Sequence, residues 1–282
     1  MVMFMSRYFL MNIFRDSGLT WLRTGVYTSY TFTLKDEKLK TMKIRTIFAI
    51  LLLLGLVSGT AMAKDDVLVQ DMIDLERVYI PALFLTSKNA PTAVPAFNSY
   101  ESSWNNFRDE YGTYRSSQRN WISYFDSVQD LVDYAGDLVV EGHLLEAHEV
   151  LELVRTTMRE LRMRNGFPKF NTDELTAFHS IMGKIIAISM EEFDGDTIDT
   201  LYELYRDASH AWFKVEKNSV DQDAWVLTDD EMLEYSAYVQ AERTALDTFE
   251  IALINGYVPT IRIAAMGLKP AQARAYLLLG DL

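Results

Sequence analysis

The chain reads as an all-α protein made of two four-helix up-down bundle units related by internal duplication. Three observations predict this class. From residue 66 onward the apolar residues recur at helical spacing. No run of alternating β-branched residues is long enough for a sheet. Gly142 and Gly166 bound a stretch with the same separation as Gly256 and Gly280.

Periodicity and capping predict helices over 66–84, 91–112, 118–140, 143–165, 172–192, 196–218, 229–255 and 258–281. Pro81 is expected to kink or end the first, because it brings no amide proton and crowds the preceding turn. The second carries Val94, Phe97, Tyr100, Trp104, Phe107 and Tyr111 on one face, and the third carries Ile122, Phe125, Val128, Val132, Ala135 and Val139. Gly166 after Asn165 stops the fourth. Asn171-Thr172-Asp173-Glu174 opens the fifth as a weak capping box, and Thr228-Asp229-Asp230-Glu231 opens the seventh as a strong one. Gly267 and Pro270 are expected to interrupt the last. At an offset of 114, Tyr124 matches Tyr238, Val139 matches Leu253 and Arg155 matches Lys269, so residues 64–168 and 169–282 read as the two units.

Ahead of the bundle lies an export signal. Lys43 and Arg45 form a positive start, Ile47–Val57 an apolar run broken only by Gly55, and Ala61-Met62-Ala63 a cleavage signature. An apolar run of about eleven residues is shorter than the roughly twenty that span a bilayer, so residues 42–63 read as a signal peptide rather than a stable membrane anchor. Cleavage after Ala63 would deliver the product to the periplasm or outside the cell. Residues 1–41 read as a non-native or disordered extension, upstream of an initiator at Met42 or part of an extended leader.

Removal of residues 1–63 leaves 19 basic and 37 acidic residues, a formal charge of −18. Such a chain is repelled by nucleic acid and attracts cations or a basic protein partner. The absence of cysteine excludes disulfides, thiolate metal sites and a lipidated cysteine. No nucleophile elbow, His-Glu-x-x-His helix or phosphate loop is present, so a non-catalytic protein is expected.

The candidate chemistry rests on histidine. His148 lies on one helical face with Leu144, Leu151 and Arg155, and Glu152 follows one turn later, a spacing that suits a divalent metal. His179 lies with Leu175, Met182 and Ile186. If the fourth and fifth helices form an antiparallel hairpin, His148 and His179 differ in height by roughly 13 Å, and His179 comes level with Met158. A histidine with Met158 and Met182 would then suit iron, copper or haem b. Arg155, Arg159 and Arg162 share a face that would hold a carboxylate or haem propionate, or neutralise the chain's own acids. A purely structural role for the histidines, in an adaptor that meets a basic partner, is the alternative.

Two resemblances bear on this. The stretch from Glu141 to Thr157 resembles the last helix of the soluble periplasmic b-type cytochromes, which implies a four-helix bundle with haem between methionine and histidine. Ala177-Phe178-His179-Ser180-Ile181-Met182 resembles the Gly-x-His-x-x-Glu motif of imelysin-like proteins, exported duplicated bundles linked to iron uptake. Ala177 stands in place of the glycine and Met182 in place of the glutamate. That resemblance implies His179 as a metal ligand.

Overall fold

The amphipathic stretches become helices, and no strand occurs among the described residues, which are 64–281 in this computed structural model. The expected signal peptide and extension, residues 1–63, lie outside them. In chain order the helices are α1 (64–87), α2 (Ala93–Tyr111), α3 (Arg119–Glu141), α4 (Leu144–Arg164), α5 (Asn171–Met190), α6 (Thr197–Lys217), α7 (Asp229–Asn255), α8 (Val258–Gly267) and α9 (Lys269–Leu277). None of the described helices is long and apolar enough to cross a membrane.

Local signals account for most boundaries. Thr228 Oγ1 accepts from the Glu231 amide at 3.2 Å, and Glu231 Oε2 accepts from the Thr228 amide at 2.8 Å, completing the capping box of α7. Gly142 and Gly256 end α3 and α7 with φ of 82° and 65°, a left-handed conformation that costs glycine least. Gly267 ends α8, and Pro270 lies in the first turn of α9. At α5 the capping partner differs from expectation. Asp173 Oδ2 accepts from the Phe170 amide at 2.9 Å, so the cap begins one residue before Asn171.

Of the two effects expected of Pro81, a kink or an end, the end does not occur, for α1 runs on to residue 87. Proline leaves the carbonyl four residues earlier, that of Arg77, without its helical donor. The Asp281 amide supplies one at 3.0 Å, and Arg77 Nη2 lies 2.5 Å from Asp281 Oδ1. Gly280 makes this possible: a Cβ there would lie 2.6 Å from Ile80 Cγ2. The end of the described chain thus repairs a break in its first helix.

Aromatic residues dominate one part of the core. Phe125 stacks on Trp104 and Phe107, with ring centroids 5.5 and 5.8 Å away, and Trp121 adds a contact at 5.1 Å. Each such pair is worth about 0.5–1.5 kcal/mol beyond its buried area. The buried indoles also find acceptors, Trp121 in the Tyr111 carbonyl at 2.8 Å and Trp104 in Gln129 at 2.9 Å. Further along, Phe178 packs on Trp212 at 4.7 Å. Val94 and Ile122, at the ends of their stripes, are exposed, with Trp121 buried instead.

Residues 66–282 hold together as one compact unit. Within it α3 pairs with α4 and α5 with α6, while α7 contacts α6, α8 and α9. The expected α4–α5 hairpin does not pack as a hairpin. A groove of about 480 Å³, lined from α4 by Glu152 and Arg159 and from α5 by Thr176 and Ser180, separates the two helices, and α9 packs against α5 beside it.

Candidate functional site

The α4–α5 separation decides the fate of the predicted site. His148, Glu152 and Arg155 come from α4, His179 from α5, and Gln272 and Tyr276 from α9, and all six line one cavity of about 170 Å³. Leu83 and Phe84 near the end of α1 form its apolar wall, with Ser87 beside them, and Lys88 and Lys269 also line it. His148 and His179, expected to differ in height by roughly 13 Å in a packed hairpin, therefore line a shared cavity.

Hydrogen bonding assigns the two imidazoles. His148 Nδ1 donates to the Leu83 carbonyl at 3.0 Å, which leaves Nε2 3.9 Å from Glu152 Oε1. His179 Nδ1 lies 3.4 Å from Gln272 Oε1, to which it donates. A carbonyl on Nδ1 fixes the tautomer and leaves Nε2 as the atom for a ligand. Burial pushes His179 below its ordinary range, against the Gln272 hydrogen bond, so it is neutral at pH 7.

Arg155 is the charged member. Its guanidinium pairs with Glu152 and lies 5.9 Å from the centroid of the Tyr276 ring. Although burial opposes its charge, the neighbouring Tyr276, Tyr79 and Glu152 raise its affinity for the proton, so it remains a cation. Burial raises Tyr276 well above the usual phenol range, and its hydroxyl keeps its proton. Tyr276 Oη and Arg155 Nε, both buried, have no well-formed hydrogen-bond partner, although the two side chains interact with each other.

The other predicted residues lie elsewhere. Met158 lines a separate small cavity with Met72, Tyr79 and Tyr100 from α1 and α2, and Met182 is buried in the core. The expected His179–Met158 register required the packed hairpin, and the groove removes it. Arg162 is 2% exposed, with Nη2 2.7 Å from Asp173 Oδ1 and Nη1 3.3 Å from Glu76 Oε2, above the Phe170 ring at 4.0 Å. Its positive charge is taken up by the chain's own carboxylates, and Arg159 adds a longer contact to Asp173 at 3.8 Å.

Two metal readings can be tested against this geometry. A haem held between histidine and methionine finds no such pair here, since His179 lines the 170 Å³ cavity while Met158 faces a separate one. For a single ion, His148 Nε2 and Glu152 form a pair. Among the described residues no three His, Asp or Glu side chains lie close enough to form a ready-made site.

Sequence reasoning missed Gln272 and Tyr276. They sit on a short helix after a proline, 93 and 97 positions beyond His179, and no local signal relates them to it. Glu242 on α7 was missed as well. It is wholly buried, its Oε2 accepts from the Gln272 amide at 3.1 Å, and burial raises its carboxyl to about 8.

Fold and site together define a helical bundle with a small polar cavity between helices. Compared with protein-family models, characterised proteins and solved structures, the chain matches none.

Proposed function

We propose that this chain is an exported, non-catalytic bundle protein that captures a small polar ligand in the cavity between α1, α4, α5 and α9. One observation carries the reading: polar side chains from three helices, distant in sequence, converge on a cavity with an apolar wall. Small-molecule sites have this composition, mostly apolar with a few placed polar groups. Export rests on the leader at 42–63, and N-terminal sequencing of the secreted product should begin near Lys64. We also read the bundle as a duplication, supported by the matching left-handed glycines Gly142 and Gly256.

The test fills the cavity. Ala273→Phe adds a ring at its lining, and native mass spectrometry with thermal-shift screening compares this variant with the parent. A ligand retained by the parent and lost from the folded variant supports the reading. Equal binding by both proteins overturns it.

A divalent metal is a second reading, favoured by the fixed tautomer of His148 and its Nε2 facing Glu152 at 3.9 Å. In it His148 and Glu152 hold the ion as a pair, at the cost of the Glu152–Arg155 contact. Titration with Zn²⁺, Cu²⁺ and Fe²⁺ checks it, and binding that survives both His148→Gln and Glu152→Gln would refute it.

A further inference from the structure

We infer that the ligand of this cavity is a small carboxylate, held by Arg155 and the Tyr276 hydroxyl and drawn in by Lys269 and Lys88. This inference rests on the small-ligand reading above and names its chemistry.

The charge at the cavity runs against the rest of the molecule. The chain carries a formal charge of −13, yet the lining presents three basic side chains, Lys88, Arg155 and Lys269, against one carboxylate, Glu152, while the adjoining groove adds Glu149 and Asp173 against Arg159. His179, its affinity for a proton lowered by burial, adds no charge of its own at pH 7. A cation entering here meets that excess positive charge, and an anion is attracted by it.

Hydrogen-bond accounting points the same way. Glu152 occupies one edge of the Arg155 guanidinium, while Arg155 Nε remains a buried donor without an acceptor. Tyr276 is 7% exposed, lines the cavity and interacts with Arg155, while its own hydroxyl proton has no acceptor. A buried polar group left unsatisfied costs about 1–3 kcal/mol. Two such donors beside each other are both satisfied by an oxygen-rich anion, and carboxylate geometry suits a guanidinium edge. A lone metal ion would satisfy neither.

Size and lining limit the rest of the ligand. A cavity near 150 Å³ accommodates a molecule the size of benzene, so 170 Å³ suits a small carboxylate, from acetate to benzoate, with the 480 Å³ groove adjoining it at His148, Glu152, Arg155 and His179. Leu83 and Phe84 face its apolar part. The Nε2 atoms of His148 and His179, left as acceptors, offer partners for a hydroxyl on the same molecule.

The experiment is isothermal titration of the full-length purified protein with acetate, lactate and benzoate, each against its own amide, with Zn²⁺ as a separate arm. The acids are expected to bind at least tenfold more tightly than the amides. Tyr276→Phe, which keeps the ring and removes the donor, is expected to weaken carboxylate binding about tenfold, with circular dichroism reporting the fold. Acid and amide binding equally, or Tyr276→Phe leaving the acid unaffected, overturns the carboxylate assignment but not ligand capture. Zn²⁺ binding without any acid binding likewise overturns it in favour of the metal. Failure of every probe, together with no effect of Ala273→Phe on retained ligand, removes the small-ligand reading itself.

Discussion

Replacing Arg162 with methionine removes one guanidinium and leaves a side chain of similar length in a nearly sealed site. Glu76 and Asp173, at 3.3 and 2.7 Å, then face each other's environment without a cation, both under 9% exposed. Breaking a buried ion pair from one side costs about 3–5 kcal/mol, a large part of the 5–15 kcal/mol typical of a folded domain. The loss should depend on pH. Burial already raises the Glu76 carboxyl above its usual 4.5, Arg162 is the largest influence holding it down, and Asp173 raises it further. Without Arg162, Glu76 retains its proton to higher pH in the folded state, while the unfolded chain releases it near 4.5. Stability of the variant therefore falls as pH rises above 4.5, and its deficit relative to the parent shrinks on acidification. Urea denaturation followed by circular dichroism at pH 4.5 and pH 7 measures both quantities. A deficit under about 1 kcal/mol at pH 7, or one that does not shrink at pH 4.5, would refute the reasoning. The triple change Arg162→Met, Glu76→Gln and Asp173→Asn should recover part of the loss, since no buried charge then remains.

Other perturbations probe separate links. Glu242→Gln keeps the acceptor for the Gln272 amide and removes a carboxyl raised to about 8, so it should stabilise the protein progressively from pH 4.5 to 8. At about 1.4 kcal/mol per unit the gain reaches up to about 5 kcal/mol at pH 8; identical pH–stability curves would contradict it. Gly280→Ala places a methyl 2.6 Å from Ile80 Cγ2 and should cost about 1–3 kcal/mol, read as a lower Tm. Thr228→Ala should cost about 1 kcal/mol in urea by uncapping α7. Nuclear magnetic resonance titration should find His179 deprotonating below the usual 6.5, and a value at or above it would show the ring to be less buried than described.

The helices, their caps and the glycine stops were legible because each depends on contacts within four residues. Thr228 with Glu231 and Gly142 after Glu141 carry their whole explanation locally. His148, Glu152 and His179 were legible as chemistry-bearing residues on apolar-edged faces. Their relation was not, since the short link between α4 and α5 suggested a packed hairpin. Phe167 and Phe170 are buried within that link, and each helix finds its partner elsewhere, α4 in α3 and α5 in α6. A connection of this length constrains only the ends of two helices, leaving their separation along the rest to competing contacts.

Pro81 shows the same division. Its missing amide proton and ring are properties of one residue, sufficient to expect a kink or an end. Whether α1 breaks depends on an acceptor at Arg77 being met by Asp281, 204 positions away, and on glycine at 280 letting the backbone approach. The sequence alone determined the all-helical class, the ends of most helices, and the residue types available for chemistry, since all of these follow from local backbone preference and periodic burial. Only the tertiary structure decided that Arg162 is taken up by Glu76 and Asp173, that Met158 and His179 part company, and that Gln272 and Tyr276 join the histidines. Those outcomes depend on which helix faces compete successfully for each other, and that competition is settled by packing across the whole bundle.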